Sequence, residues 1–255
     1  MKEDVGERIV AGVAAAARRR ALAVVGGEVL ERDGLVLALS NLADPDLNGT
    51  YLEREPVDPM GALSWASSET TSRGHPLGID LASRRFPGLA EAVERFGLVV
   101  VEARHAMAAR PESLVSVTQP PGVSIRPVET RADALALALV DAAAWESDAE
   151  NSFRAFANGA LVPGVKAFVA WEGQTAVGCV AAHAHADSIG VFGVGVVPDA
   201  RRRGLGRALT IAASTAFDAD LVWLFPTTMA GDMYRHLGFE EVEPWDIWVS
   251  KRASS

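Results

Sequence analysis

The chain has 255 residues, 49% of them hydrophobic and 22% charged, and a formal net charge of -9 from 24 Lys and Arg against 33 Asp and Glu. This excludes a disordered, collagen-like or disulfide-stapled protein, and roughly 150 residues per domain allows one large domain or two small ones. An acid excess shared by both halves also opposes general binding to nucleic acid or an anionic membrane, unless positive charge is gathered locally.

The first residues do not read as a secretion signal, because Lys2-Glu3-Asp4 and Glu7-Arg8 lead into Ala11–Ala17 and then Arg18-Arg19-Arg20. The pattern predicts an Ala-rich helix over about 7–24, with the arginines as its solvated end. Glu28–Glu31 and Leu35–Ser40 read as a hairpin around Arg32-Asp33-Gly34, a turn signal with residues that tolerate positive φ. Asp44–Asn48 reads as a loop, Gly88–Phe96 as a helix and Leu98–Glu102 as a strand. No apolar stretch reaches the roughly 18–20 residues that cross a bilayer. The single cysteine, Cys179, removes an intramolecular disulfide and a Cys-based zinc site and reads as a small core residue. Together these features point to a soluble cytoplasmic protein without a metal.

Pro111–Gly122, with Gln119-Pro120-Pro121-Gly122 at its end, reads as a linker between domains at 1–110 and 123–255. Beyond it, Val123–Val128 alternates like a strand. Thr130, with Asp133 three residues on, predicts a capped helix over 131–144, followed by a second over 150–159. Val165–Trp171 and Thr175–Ala182 flank the turn Glu172-Gly173-Gln174 and should pair antiparallel. Ser188–Val197 is the next strand, 204–217 an amphipathic helix, Leu221–Phe225 a buried strand and Ala230–Leu237 a short helix stopped by Gly238. A last strand pair ends with Trp245–Val249.

The most informative stretch is Val194-Gly-Val-Val-Pro-Asp-Ala-Arg201-Arg-Arg-Gly204-Leu-Gly206-Arg207, which reads strand, tight turn, helix. A turn of this kind exposes successive amide N–H groups, and the helix behind it adds its positive dipole end, so the segment is an anion cradle. Arg201, Arg202, Arg203 and Arg207 place positive charge beside it. Arg207-Ala208 after Gly206 departs from a Walker A loop, and Leu209 stands where a dinucleotide fingerprint has its third glycine. The remaining pattern, R-x-x-G-x-G over Arg201–Gly206, resembles the acetyl-CoA loop of the GCN5-related N-acetyltransferases, the GNAT family. Tyr234-Arg-His-Leu-Gly-Phe239 resembles the family's Tyr-x-x-Leu-Gly-Phe segment, and Thr227 stands where many members carry an asparagine.

The resemblance implies an α+β, three-layer GNAT fold: a mixed, mostly antiparallel sheet flanked by helices. Residues 1–110, which lack the loop, are similar to the smaller, degenerate N-terminal unit of tandem GNAT proteins. It further implies an acetyl-CoA-dependent N-acetyltransferase in which an amine attacks the thioester directly in a ternary complex. The amides of Arg202, Arg203, Gly204, Leu205, Gly206 and Arg207 would hold the pyrophosphate, with Arg201 beside them. The strand edge at Val194, Gly195 and Val196 would pair with the pantetheine arm. Tyr234 would donate to the departing thiolate; the rival reading is a core tyrosine. Candidates for the base are Glu146, His183, His185 and Asp187, each equally readable as a solvated or ordinary strand residue. The acceptor would be a small-molecule or peptide amine, with the protein's acidity favouring a cationic one, and a homodimer is admitted among the partners. The competing reading is a non-catalytic acyl-CoA-binding or regulatory module.

Overall fold

The computed structural model describes residues 2–40, 42 and 47–250, so Asp44, Pro45 and Asp46 of the expected loop lie outside the described residues. The chain forms two compact units. One gathers Met1–Ala106 with Val242–Ser255, and the other is Met107–Glu241.

In the first unit, helix α1 (Lys2–Ala23) turns Ile9, Val10, Val13, Ala14, Ala17 and Ala21 inward at three- and four-residue intervals and packs on the strands that follow. Strands β1 (Glu28–Arg32) and β2 (Leu35–Leu39) form the expected hairpin, with Asp33 at φ 47° and Gly34 at φ 85° in the turn. The five buried apolar residues of β2 mark a strand covered on both faces. Strand β3 (Asn48–Leu52) lies antiparallel to β2 and parallel to β4 (Gly78–Leu81). Between β3 and β4 runs α2 (Pro59–Ser72), which starts at Asp58 with proline in its first turn. Helix α3 (Pro87–Phe96) and strand β5 (Leu98–Ala109) follow.

The second unit repeats this succession with a longer opening. Strand β6 (Val123–Pro127), helices α4 (Arg131–Trp145) and α5 (Ala149–Gly159), and strands β7 (Val165–Glu172), β8 (Thr175–His185) and β9 (Ser188–Val196) lead to α6 (Leu205–Ser214). Strand β10 (Leu221–Leu224) and helix α7 (Gly231–Leu237) complete it, and strand β11 (Glu240–Ser250) follows. Strands β6 to β9 are consecutive antiparallel neighbours, β10 is parallel to β9, and Met107–Ala109 of β5 pair with β10 on its other side. Helices cover both faces: a Cβ on Gly178 would meet Leu209 of α6, whereas one on Gly195 would meet Ala144 of α4. This is the mixed, mainly antiparallel α+β sheet that the resemblance implies, and the first unit is the smaller of the two.

Two features differ from the sequence reading. The predicted final strand pair is one strand, β11, and from Val242 onward it groups with the first unit, where Asp246–Val249 pair with Leu81–Gly78 and bury Trp245 and Trp248. The units therefore divide at 106/107 and 241/242, not at a linker. The second difference is that linker itself: Pro111–Ser113 forms a 3-10 turn, the Val115 amide donates to the Leu237 carbonyl at 3.0 Å, and Leu114 and Val117 pack on the second unit's core. Its apolar residues make it part of that unit. Among the described residues no helix is long and apolar enough to cross a membrane.

Candidate active site

The site is built around a fork between β9 and β10. The two strands pair only over Ser188–Gly190 and Leu221–Trp223, because β10 stops at Leu224 ahead of Pro226, which has no amide for a ladder. Strand β9 continues to Val196, bonded to β8 on its other side. Among the described residues the β10-facing edge of Val191–Val196 thus has no strand partner, and an extended chain of amides could dock on it. Within this edge Cys179 faces Gly195 while Ala181 faces Phe192, so one extra residue is accommodated as a β-bulge at Gly193 and Val194. Gly193 adopts φ 60°, and its carbonyl accepts the Cys179 thiol at 3.6 Å.

The strand leads directly into the anion cradle. Pro198–Ala200 forms a 3-10 turn, Arg202 stands at φ 60°, and Gly204 at φ 86° is the residue before α6. Helices α4 and α5 are capped by the side chains of Thr130 and Asp148, but no side chain caps α6. Its first amides are aimed at an exposed turn, the arrangement an anionic group needs. The four arginines do not act alike. Arg201 donates from Nε to the Val196 carbonyl at 3.0 Å and from Nη2 to the Ala144 carbonyl at 2.8 Å, bracing the strand end against the end of α4. Arg203 pairs with Glu172 and lowers the pKa of that carboxyl. Of these four arginines, Arg202 and Arg207 are exposed and engage neither a carbonyl nor a carboxylate among the described residues.

Helix α7 seals the other side of α6. A Cβ on Gly206 would lie 3.3 Å from the Met233 sulfur, so the glycine permits this approach. Tyr234 is buried in the α6–α7 core, edge-on to Phe239 at 5.9 Å, with its hydroxyl hydrogen-bonded to Thr210. Burial pushes its pKa up to about 12. Thr210 itself donates to the Gly206 carbonyl at 2.8 Å, so the tyrosine hydroxyl is tied to the turn of α6 that follows the cradle.

The base candidates separate. Glu146 caps the C-terminus of α4 at φ 53°, exposed, next to Trp145, whose indole nitrogen lies 3.6 Å from a Cβ on Gly195. His183 is buried on β8 against Phe192 at 4.9 Å, in an edge-to-face row continued by Trp223 and Phe225. His185 ends β8. Asp187 is not on the strand with the histidines but in the turn that follows it, beside Ala186 at φ 48°. One group escaped the sequence reading. Asp141, on the sheet-facing side of α4, is 7% exposed and accepts the Ser152 hydroxyl at 3.2 Å. The signal was present as one acid inside the apolar run Ala134–Trp145. Among the described residues no group of three or more His, Cys, Asp or Glu could hold a metal ion.

The cradle, the open edge and the uncapped helix fit acetyl-CoA as a donor set: amides for the pyrophosphate, a strand edge for the pantetheine. Comparison with known proteins bears on the domain and the fold. The family model of the acetyltransferase (GNAT) domain matches residues 163–241, which contain β7 to α7. The fold is similar to a GCN5-related N-acetyltransferase from Kribbella flavida, with 26% identity, a TM-score of 0.74 and coverage of 94% of this chain and 95% of that one. It also resembles a conserved protein from Staphylococcus epidermidis (15% identity, TM-score 0.65, 87% and 92% covered). A third likeness is to a tandem GNAT protein from the clavulanic acid biosynthesis pathway (18% identity, TM-score 0.57, 87% and 79% covered). No curated protein matches in sequence. Fold, loop and family model converge on one likeness: residues 163–241 match the acetyltransferase (GNAT) domain, and the fold of the chain is similar to that of a GCN5-related N-acetyltransferase.

Proposed function

We propose that the second unit transfers the acetyl group of acetyl-CoA to a primary amine by direct attack in a ternary complex. The observation that carries this reading is the continuity of the unpaired β9 edge with the uncapped N-terminus of α6. One extended, multiply charged molecule can lie along both. The thioester is already activated, so the protein's task is to position it and to manage protons. Amides of Arg202–Arg207 hold the pyrophosphate, with Arg202 and Arg207 adding charge. The edge at Val194, Gly195 and Val196 holds the pantetheine, and an amide near Val196 polarises the thioester carbonyl. Tyr234, kept protonated by burial, turns its hydroxyl proton from Thr210 to the departing sulfur. Glu146 stands at the helix end nearest this segment as a route for the amine's proton. Calorimetry tests the reading. The wild type should bind acetyl-CoA, and Gly206→Glu, which drives a carboxylate into the cradle and against Met233, should abolish binding and thiol release. Absence of binding in the wild type overturns it.

A second reading, an acyl-CoA-binding module without catalysis, draws on the burial of Tyr234 among core side chains. Under that reading acetyl-CoA binds, yet no amine provokes thiol release.

A further inference from the structure

The bulge on β9 faces a carboxylate. A Cβ built on Gly193 meets a single atom within 4 Å, the Asp141 Oδ1 at 3.8 Å. Gly193 is exposed, whereas Asp141 is buried, so a small open volume over the glycine has a buried carboxylate oxygen on its far side. The other oxygen, Oδ2, accepts from Ser152 at 3.2 Å, and the Ser152 oxygen lies 3.0 Å from that of Ser147, which orients the group. A charged carboxylate at a buried position is costly to keep, and an ammonium brought beside it lowers that cost. It lies beside the strand segment that the proposed reaction assigns to the thioester.

We propose that Asp141 is the residue that seats the acceptor's ammonium group at Gly193 and takes its proton, making the substrate a cationic primary amine small enough to reach the bulge. This inference rests on the acetyltransferase reading above. The step balances as follows. The ammonium gives one proton to Oδ1 and becomes a neutral amine. Its lone pair forms the C–N bond, the C–S bond breaks with its electrons going to sulfur, and the second nitrogen proton passes to that sulfur. Asp141 then returns its proton to water. Removing an ammonium and a carboxylate from water together favours this exchange, because desolvation penalises both charges. The groups facing Asp141 suit the role. From β8 comes the Cys179 thiol, whose pKa is raised by burial and by the charge of Asp141, so it stays neutral. From α5 comes the uncharged Ser152, from β9 the glycine, and the Arg201 guanidinium is engaged by carbonyls at the end of α4.

The test compares butylamine, charged at neutral pH, with 2,2,2-trifluoroethylamine, largely neutral there, in a thiol-release assay on the full chain. Asp141→Asn should lower kcat/KM for butylamine by about 10²–10³-fold and for trifluoroethylamine by less than about tenfold, with the Kd for acetyl-CoA changed less than about threefold. Equal losses on the two amines, or no loss, overturn the role of Asp141 alone, whereas a wild type that binds acetyl-CoA but releases no thiol with either amine overturns the acetyltransferase reading beneath it. A wild type that does not bind acetyl-CoA overturns the reading beneath it. Should Asp141→Asn fail to fold, Ser152→Ala decides. Losing a donor to the charged carboxylate should move the acidic limb of the kcat/KM profile upward by about half a unit or more, and an unmoved limb overturns the proposal.

Discussion

Arg201 and Gly204 share one motif but do different work. Arg201 spends its guanidinium on two backbone carbonyls, so Arg201→Ala should lower the melting temperature by the equivalent of about 1 kcal/mol. The exposed pair behaves otherwise: Arg202→Ala and Arg207→Ala should leave melting unchanged but weaken acetyl-CoA several-fold, by a factor that shrinks as salt is added. Calorimetry at two ionic strengths separates the two classes. Tyr234 offers a direct reading of its own, since the chain has only two tyrosines. Alkaline absorbance titration of Tyr234→Phe should lose the component near pH 12. Because the folded-state pKa is raised, the stability this hydroxyl contributes is intact below pH 10 and is lost as pH rises toward 12. In kinetics the same variant should slow kcat by roughly 10–1000-fold with the acetyl-CoA affinity kept. The cradle could be read from the sequence because its glycines and arginines are contiguous. Asp141 could not, because its meaning depends on a glycine 52 positions away in the chain that only the β9 bulge brings near it.

Elements with strong local signals formed where the pattern placed them. Thr130 and Asp133 cap α4 reciprocally: the hydroxyl accepts the Asp133 amide at 3.2 Å and the carboxylate accepts the Thr130 amide at 2.9 Å. Thr130→Ala should therefore cost about 1 kcal/mol in chemical unfolding. Strand β3, helix α2 and strand β4 went unread. Helix α2 mixes Ser, Thr and Gly with few apolar residues, so its periodicity is weak, and β4 is only four residues long. The usable hint was Asp58-Pro59, an N-cap followed by proline. Ahead of α2 the first unit also closes what the second leaves open. The Asp33 carboxylate accepts the amides of Val57 at 2.8 Å and Asp58 at 3.1 Å, and Asp58 accepts that of Gly61 at 3.0 Å. These bonds hold the Asp33 carboxyl below its ordinary pKa. Asp33→Asn should therefore lower the melting temperature at pH 7, with the difference fading as the medium is acidified below the usual carboxylate range.

For the molecule as a whole, the division into two units follows pairing partners more than sequence neighbours. With one helix start satisfied by its own carboxylates and the other uncapped, titration should give one acetyl-CoA per chain, not two. The domain reading failed at β11 for a physical reason. Its alternating tryptophans announce a strand, but nothing local says which edge it joins, and the choice is made by β4 through Asp246↔Leu81 to Val249↔Gly78. Around that seam Glu243, 2% exposed, pairs with Arg85 at 3.0 Å and with Arg84 at 3.3 Å, while half-buried Asp80 meets Arg104 and the Trp245 indole. Trp248→Ala should accordingly destabilise the first unit by about 3–5 kcal/mol, seen as early loss of amide protection there.

The placement of β11 also sets an order of events during synthesis. The N-terminal unit leaves the ribosome first, yet β4 has no β11 to pair with, and Glu243 cannot neutralise Arg84 and Arg85, until residues 242–250 have been translated. Nascent chains stalled before Trp245 should thus be cleaved readily within residues 47–106, and the same segment should become resistant only once Val249 has cleared the exit tunnel.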